Sequence, residues 1–225
     1  MLIIALSGPD GTGKTSCARI LSRILSRRGF NTKCVWIKHV HTVAYILVKL
    51  LEIINRKHVV RSHSGTFVTH SMASRLWGWI ELIGIVPLVL KIYVSALISK
   101  YIENESTVFI ADRYILDSLV HVIISLVVQR RGCPYAEIIY SLPFKVMRAL
   151  LMRSTITILL DGDTDVLVNR KRDRRDPYSY LSLQRMLYKK LARELNIPAL
   201  FIDTTNKQIH VVCGEIYEYI SSSLA

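Results

Sequence analysis

Residues 8 to 15 read Gly8-Pro9-Asp10-Gly11-Thr12-Gly13-Lys14-Thr15, the pattern G-x-x-x-x-G-K-T. Three glycines, a lysine and a hydroxyl at this spacing suit one task, the enclosure of a chain of phosphates. Glycine lets successive backbone N–H groups turn inward around an anion. A helix beginning at the lysine adds the positive end of its dipole. Lys14 is then placed for the β- and γ-phosphates and the Thr15 hydroxyl for Mg²⁺. The flanks agree with this. Leu2-Ile3-Ile4-Ala5-Leu6 has the length and composition of a buried strand, and Ile20, Leu21, Ile24 and Leu25 recur at helical spacing after the loop. A chance glycine-rich turn would not need that strand–loop–helix setting. The implied ligand is a nucleoside triphosphate, held by Gly8, Asp10, Gly11, Thr12, Gly13, Lys14, Thr15 and Ser16.

Three further groups stand at ends of apolar, strand-like runs. Asp112-Arg113-Tyr114 follows Thr107-Val108-Phe109-Ile110-Ala111. A carboxylate there can hold Mg²⁺ opposite Thr15, and the guanidinium offers a fork for a second phosphate; the plain alternative is a surface ion pair. Arg170-Lys171-Arg172-Asp173-Arg174-Arg175 puts five cations in six residues after the run 155–160. Phosphoryl transfer needs positive charge around the moving group, and a closing segment also excludes water. The same run also suits a solvated or nucleic-acid-binding face, and spacing leaves open whether Arg170, Arg172 or Arg174 faces the loop. Asp203-Thr204-Thr205-Asn206 follows Ala199-Leu200-Phe201-Ile202 and suits the border of a base pocket or an ordinary helix cap.

These groups need a frame that brings strand ends together. Strands are expected at 2–6, 33–38, 107–111, 155–160 and 199–203. Helices are expected from 16 to near Gly29, over 42–54, through 70–101, and over 115–131, 134–151, 166–171, 181–195 and 207–222; 55–68 reads as a polar, basic loop. Strands alternating with helices imply a parallel sheet covered on both faces, in one α/β domain without linker or repeat. In such a sheet ligands gather beyond the carboxyl ends of the strands. The apolar stretch 76–98 contains Glu81, Pro87 and Lys91, and its charge-free run is nine residues, well short of the ~20 a membrane helix needs. It reads as a core or partner-facing helix.

Composition sets the outer limits. With 51% hydrophobic residues and a mean hydropathy of +0.31, the chain is no disordered segment. Thirty Lys+Arg against 17 Asp+Glu, formally +13, favours anionic partners, for which a phosphate site already accounts in part. Cys17, Cys34, Cys133 and Cys213 are scattered without a C-x-x-C pair, as expected for thiols in a reducing cytoplasm rather than for a disulfide framework or zinc site. The first apolar run is too short for a signal peptide.

Taken together these features resemble the nucleoside monophosphate kinases, and most closely the thymidylate kinases. The residues concerned are the loop Gly8 to Lys14, Asp112-Arg113-Tyr114, the Leu160-Asp161 strand end with its arginine-rich sequel, and Tyr188-Lys189-Lys190-Leu191-Ala192 before Phe201-Ile202-Asp203. The resemblance implies a P-loop NTPase three-layer fold with a five-stranded parallel sheet. It implies transfer of the γ-phosphoryl of ATP, with Mg²⁺, to a nucleoside monophosphate, dTMP first. Lys14, Thr15 and the loop backbone would hold ATP·Mg²⁺, with Asp112 as the second metal residue and Thr204 and Asn206 beside adenine. Asp10, Arg75, Arg113, Tyr114 and His121 would serve the acceptor, within a helical region at about 40–105. The loop carries no arginine, so the catalytic one falls to the lid, about 170–177. Where the family has a glutamate before the loop, this chain has Ser7; four residues before Arg75 it has Ser71 in place of an aromatic residue; and Asp117 and His121 stand where a serine and a tyrosine are usual. Two other readings are a kinase for another nucleotide or a deoxynucleoside, and a nucleotide-dependent nucleic-acid-binding protein. Arg113 favours an acceptor that already bears phosphate. Small nucleotides are the expected partners, with a homodimer through 76–98; nucleic acid and membrane are not expected.

Overall fold

The computed structural model describes residues 2–36, 59–62, 65–68, 107–124, 135–151, 155–170 and 178–224, with six helical positions, Pro87, Leu90, Tyr93, Val94, Leu97 and Ile98. In chain order the elements are β1 (Leu2–Ser7), α1 (Lys14–Arg27), β2 (Asn31–Trp36), β3 (Val59–Ser62), β4 (Gly65–Val68), β5 (Thr107–Asp112), α2 (Ile115–Ile123), α3 (Tyr135–Tyr140), α4 (Leu142–Leu151), β6 (Thr155–Asp161), α5 (Thr164–Arg170), α6 (Tyr178–Glu194), β7 (Ala199–Asp203) and α7 (Ile209–Leu224).

Five strands form one parallel sheet in the order β2-β5-β1-β6-β7. Its period-two alternation supplies two cores. Ile3 and Ala5 of β1, Phe109 and Ala111 of β5 and Leu159 of β6 face one cluster, covered by residues of α2, α3, α4 and α6. Ile4, Leu6, Val108, Ile110, Ile158 and Leu160 face the other, covered by α1 and α7. Because both faces are dry, the central strands are apolar throughout, and this makes them easy to find in sequence. The three-layer α/β fold is therefore as expected; four strands lie where the apolar runs put them, and β2, expected at 33–38, begins two residues earlier at Asn31.

Helix ends follow local chemistry. Gly29 has φ 87°, and the N–H groups of Gly29 and Phe30 close on the carbonyls of Ser26 and Leu25 at 3.1 Å each, a Schellman end to α1. The single helix expected over 134–151 is instead two. Ser141 interrupts it by accepting from the Phe144 N–H at 3.3 Å, as a new N-cap, with Pro143 in the first turn where its missing N–H costs nothing. The loop expected over 55–68 contains the antiparallel pair β3–β4, joined across Ser62 and Gly65. Val59-Val60 and Thr66-Phe67-Val68 are β-formers that the surrounding basic residues disguise. The helix expected over 42–54 lies outside the described residues. Among the described residues no helix is long and apolar enough to cross a membrane.

The carboxyl ends of three strands carry aspartates, Asp112 on β5, Asp161 on β6 and Asp203 on β7. Register brings Asp112 beside Leu6 and Asp161 beside Asp203. Asp161 and Asp203 would repel, and α6 supplies the remedy. Arg185 grips Asp161 through Nε at 2.8 Å and Nη2 at 3.2 Å, and Lys189 Nζ adds 2.7 Å. Burial alone would raise the Asp161 pKa, but the bonds from Arg185 and Lys189 outweigh it and hold the carboxyl below its ordinary value. A depressed carboxylate contributes stability above its unfolded pKa of ~3.9 and loses it as pH falls through the lower folded value. Asp161→Asn should therefore flatten the fall in unfolding free energy below about pH 4, read by urea titration across pH. An unchanged slope would show that this pair contributes no pH-dependent stability.

Candidate functional site: a phosphate loop and its arginine

The loop between β1 and α1 is held open by glycine at points where no other residue fits. Gly8 has φ 141°, and a Cβ there would lie 2.0 Å from the Leu160 carbonyl oxygen of β6. Gly11 has φ 93°, and its Cβ would lie 2.9 Å from the Leu167 carbonyl of α5. The loop is thus wedged between β6 and α5, and Thr12 braces it by donating Oγ1 to the Pro9 carbonyl at 2.9 Å.

Lys14 is buried, with its Nζ donating to the carbonyls of Gly8 at 2.6 Å and Pro9 at 2.7 Å. Asp10 is the nearest carboxylate at 3.8 Å. Burial lowers the Lys14 pKa, Arg113 lowers it further, and Asp10, Asp117 and Asp112 act against them. Such a cation is poised for an anion that would complete its coordination. Thr15 and Ser16 are exposed at the start of α1, open to a ligand.

Arg113 stands at the other side of Asp10. Its φ is 72°, a left-handed conformation uncommon outside glycine, and its N–H donates to the Leu6 carbonyl at 3.1 Å. Its Nη2 donates to Asp10 Oδ1. Burial disfavours its charge, but Asp10, followed by Asp117, Tyr188 and Asp112, more than compensates. Strain of this kind persists only where the surroundings impose it. Here the bend turns the chain from β5 into α2 and sets a guanidinium beside the loop.

Asp112 fits a hard cation. Its Oδ1 is buried without a hydrogen-bond partner among the described residues, as is Ser7 Oγ at the end of β1. A bound cation or its water would satisfy such an oxygen.

Several expected residues do other work. Tyr114 is fully buried in the core, so its ring packs α2 and is not open to a substrate. Thr204 is buried too, its Oγ1 donating to the Asp161 carbonyl at 2.7 Å, so it shapes the turn after β7 rather than facing a base. Asn206 is exposed in that turn. Arg170, expected among the catalytic cations, donates Nη2 to the carbonyls of Thr204 at 2.8 Å and Thr205 at 2.9 Å. In this structure it anchors that turn. His121 is half-buried in the last turn of α2. Arg75, Arg172 and Arg174 lie outside the described residues.

The sequence reading missed one face of α6. Gln184 Oε1 accepts from the Asp10 N–H at 3.4 Å, and Tyr188 donates its hydroxyl to Asp117 Oδ1 at 2.8 Å. Asp117 Oδ2 accepts from the Tyr114 N–H at 3.0 Å, capping the start of α2 from its third residue. Burial and then Asp10 push the Tyr180 phenol up. Tyr180, Gln184 and Tyr188 recur every four residues, so one stripe backs Asp10 and Arg113. That spacing was readable; its partners were not.

No family model matches the chain. No curated protein matches it in sequence. Among solved structures it is similar to a thymidylate kinase from Candida albicans, at 16% identity with a TM-score of 0.64, over 99% of this chain and 92% of that one. At that identity the likeness is one of fold. What the two share is a three-layer α/β fold, here a five-stranded parallel sheet with helices on both faces.

Proposed function

We propose that this chain transfers the γ-phosphoryl group of ATP to a nucleoside monophosphate, dTMP first among the candidates. The observation that carries the reading is the Asp10–Arg113 bond beside Lys14. One carboxylate joins a loop cation suited to donor phosphates and a strand-end guanidinium suited to an acceptor that already bears phosphate. The C. albicans thymidylate kinase, similar along nearly the whole chain, supports the same class.

In this reading the loop N–H groups and Lys14 bind the donor phosphates, and Arg113 fixes the acceptor phosphate in line with them. Thr15 and Asp112 hold Mg²⁺, which when bound offsets charge on the donor's phosphate oxygens. Asp10 orients Arg113 and lies on the acceptor side of the loop. The Tyr188–Asp117 bond positions the turn that carries Arg113. Arg172 and Arg174 supply the remaining positive charge from the lid, and Arg170 keeps the turn bearing Asn206 in place for the adenine.

The proposal includes a homodimer through 76–98. Leu90, Val94, Leu97 and Ile98 follow at helical spacing and each is about half exposed, at 48%, 52%, 52% and 47%. A Leu90→Lys/Val94→Lys chain should elute as a monomer with its fold intact by circular dichroism; a wild-type chain already monomeric in light scattering removes this part.

ADP release, coupled to an indicator, measured with ATP and a panel of nucleoside monophosphates, tests the main reading. Stimulation by dTMP above the others is expected, and no stimulation by any monophosphate sinks it. Lys14→Ala should lower kcat/KM by roughly 10³-fold or more. Arg113→Ala should raise the acceptor KM by about 10- to 100-fold, the worth of a charge-assisted phosphate contact, with little change in the KM for ATP. Tyr188→Phe should move the same constant in the same direction by a few-fold. A Tyr188→Phe effect confined to kcat, or shared equally by ATP, would remove its positioning role.

A further inference from the structure

Cys17 and Cys213 are 196 positions apart in sequence, yet their Sγ atoms lie 3.3 Å apart. Both are buried, at 0% and 1% exposure, in the core beneath α1 and α7. Neither is needed for the phosphate chemistry described above. Their position is nevertheless close to it. Cys17 stands in the first turn of α1, three residues after Lys14, and its N–H donates to the Gly13 carbonyl at 2.9 Å. One turn before Cys213, Ile209 reaches the loop itself, since a Cβ on Gly13 would lie 3.0 Å from Ile209 Cδ1. Ile209 and Cys213 share a helix face, so α7 backs the junction of loop and helix at two points.

A disulfide needs its sulfurs at about 2.05 Å, so this pair has only a little over ~1 Å to close. The hydrogen bond between them, with burial, pushes the Cys17 thiol up, and the same bond pulls the Cys213 thiol down against burial, so Cys213 is the better source of thiolate.

We propose that Cys17 and Cys213 form an oxidisable dithiol, converted by a hydroperoxide into an intramolecular disulfide that ties α1, directly behind the phosphate loop, to α7. A local opening between the two helices admits the small oxidant. One cysteine thiolate attacks a peroxide oxygen, the O–O bond breaks, hydroxide leaves, and that sulfur becomes a sulfenic acid. The second thiol attacks this sulfur, forming the S–S bond and expelling water. The proton from the first thiol neutralises the hydroxide, so two thiols and one H₂O₂ give one disulfide and two waters.

The test uses the full chain carrying Cys34→Ser and Cys133→Ser, treated with hydrogen peroxide, quenched, and analysed without reduction. Both remaining thiols should disappear together, and the intact mass should fall by two hydrogens. A digest should show the Cys17 peptide joined to the Cys213 peptide. The melting temperature should rise by several degrees and return with dithiothreitol, because the crosslink closes a long loop in the unfolded chain. In the same background with Cys213→Ala, peroxide should consume Cys17 at least tenfold more slowly. Mass gain by added oxygen without a linked peptide, survival of both thiols, or equally fast loss of Cys17 in the Cys213→Ala chain would each overturn the proposal. None of these readouts depends on the kinase reading.

Discussion

A buried cation with too little counter-charge governs this molecule. Lys14 has two carbonyls as its direct partners and a carboxylate only at 3.8 Å. Carbonyl dipoles satisfy the ammonium's hydrogen-bonding need without neutralising it, and the nearby Arg113 adds a second positive charge. Asp10 and the more distant Asp112 and Asp117 hold this arrangement together in the absence of ligand. A phosphate chain entering the loop would relieve both cations at once, and in a low-dielectric pocket that relief is worth far more than at a surface.

Everything around the loop keeps that charge in place. Gly8 lies so close to the Leu160 carbonyl of β6 that no side chain fits where the loop leaves β1. Parallel register then delivers Asp112 to the level of Leu6, and one further residue in a left-handed conformation brings Arg113 to Asp10. On the opposite side α6 is fastened at two separated sites, to Asp161 through Arg185 and Lys189 and to Asp117 through Tyr188. It therefore bridges the end of β6 and the turn that carries Arg113. All of these bonds are to buried or largely buried carboxylates, the kind that fixes geometry more than it adds net stability.

What sequence disclosed, and what it withheld, follows from how local each interaction is. The loop is contiguous and four of the strands are apolar runs, so residues 8 to 15 and those strands were readable directly, whereas the half-polar edge strand β2 was placed two residues late. The position of Arg113 was readable because a strand end fixes it. Tyr180, Gln184 and Tyr188 form an equally regular stripe, yet their meaning depends on which partners α6 meets in three dimensions, and no spacing carries that. Tyr114 and Thr204 show the converse. Each adjoins functional residues in sequence, and in the structure each is buried in support of them. Ser141 split a helix through one side-chain bond to Phe144 N–H, a choice that apolar periodicity does not register.

Arg113 and Arg170 mark the difference between an arginine that can receive a ligand and one that has been used. Arg170 makes three bonds to the turn after β7, two of them to backbone carbonyls, and those partners carry no charge to exchange. Three of its five N–H donors are thus committed to the turn beside Asn206. Among the described residues Arg113 pairs with one carboxylate, Asp10, which also lies 3.8 Å from Lys14. A phosphate arriving there need not displace the whole bond network, because the fork presents more donors than one carboxylate oxygen can occupy. Asp10 is accordingly a restraint on the strained Arg113 turn, and in the proposed reaction it would leave donors of that guanidinium for a second phosphate.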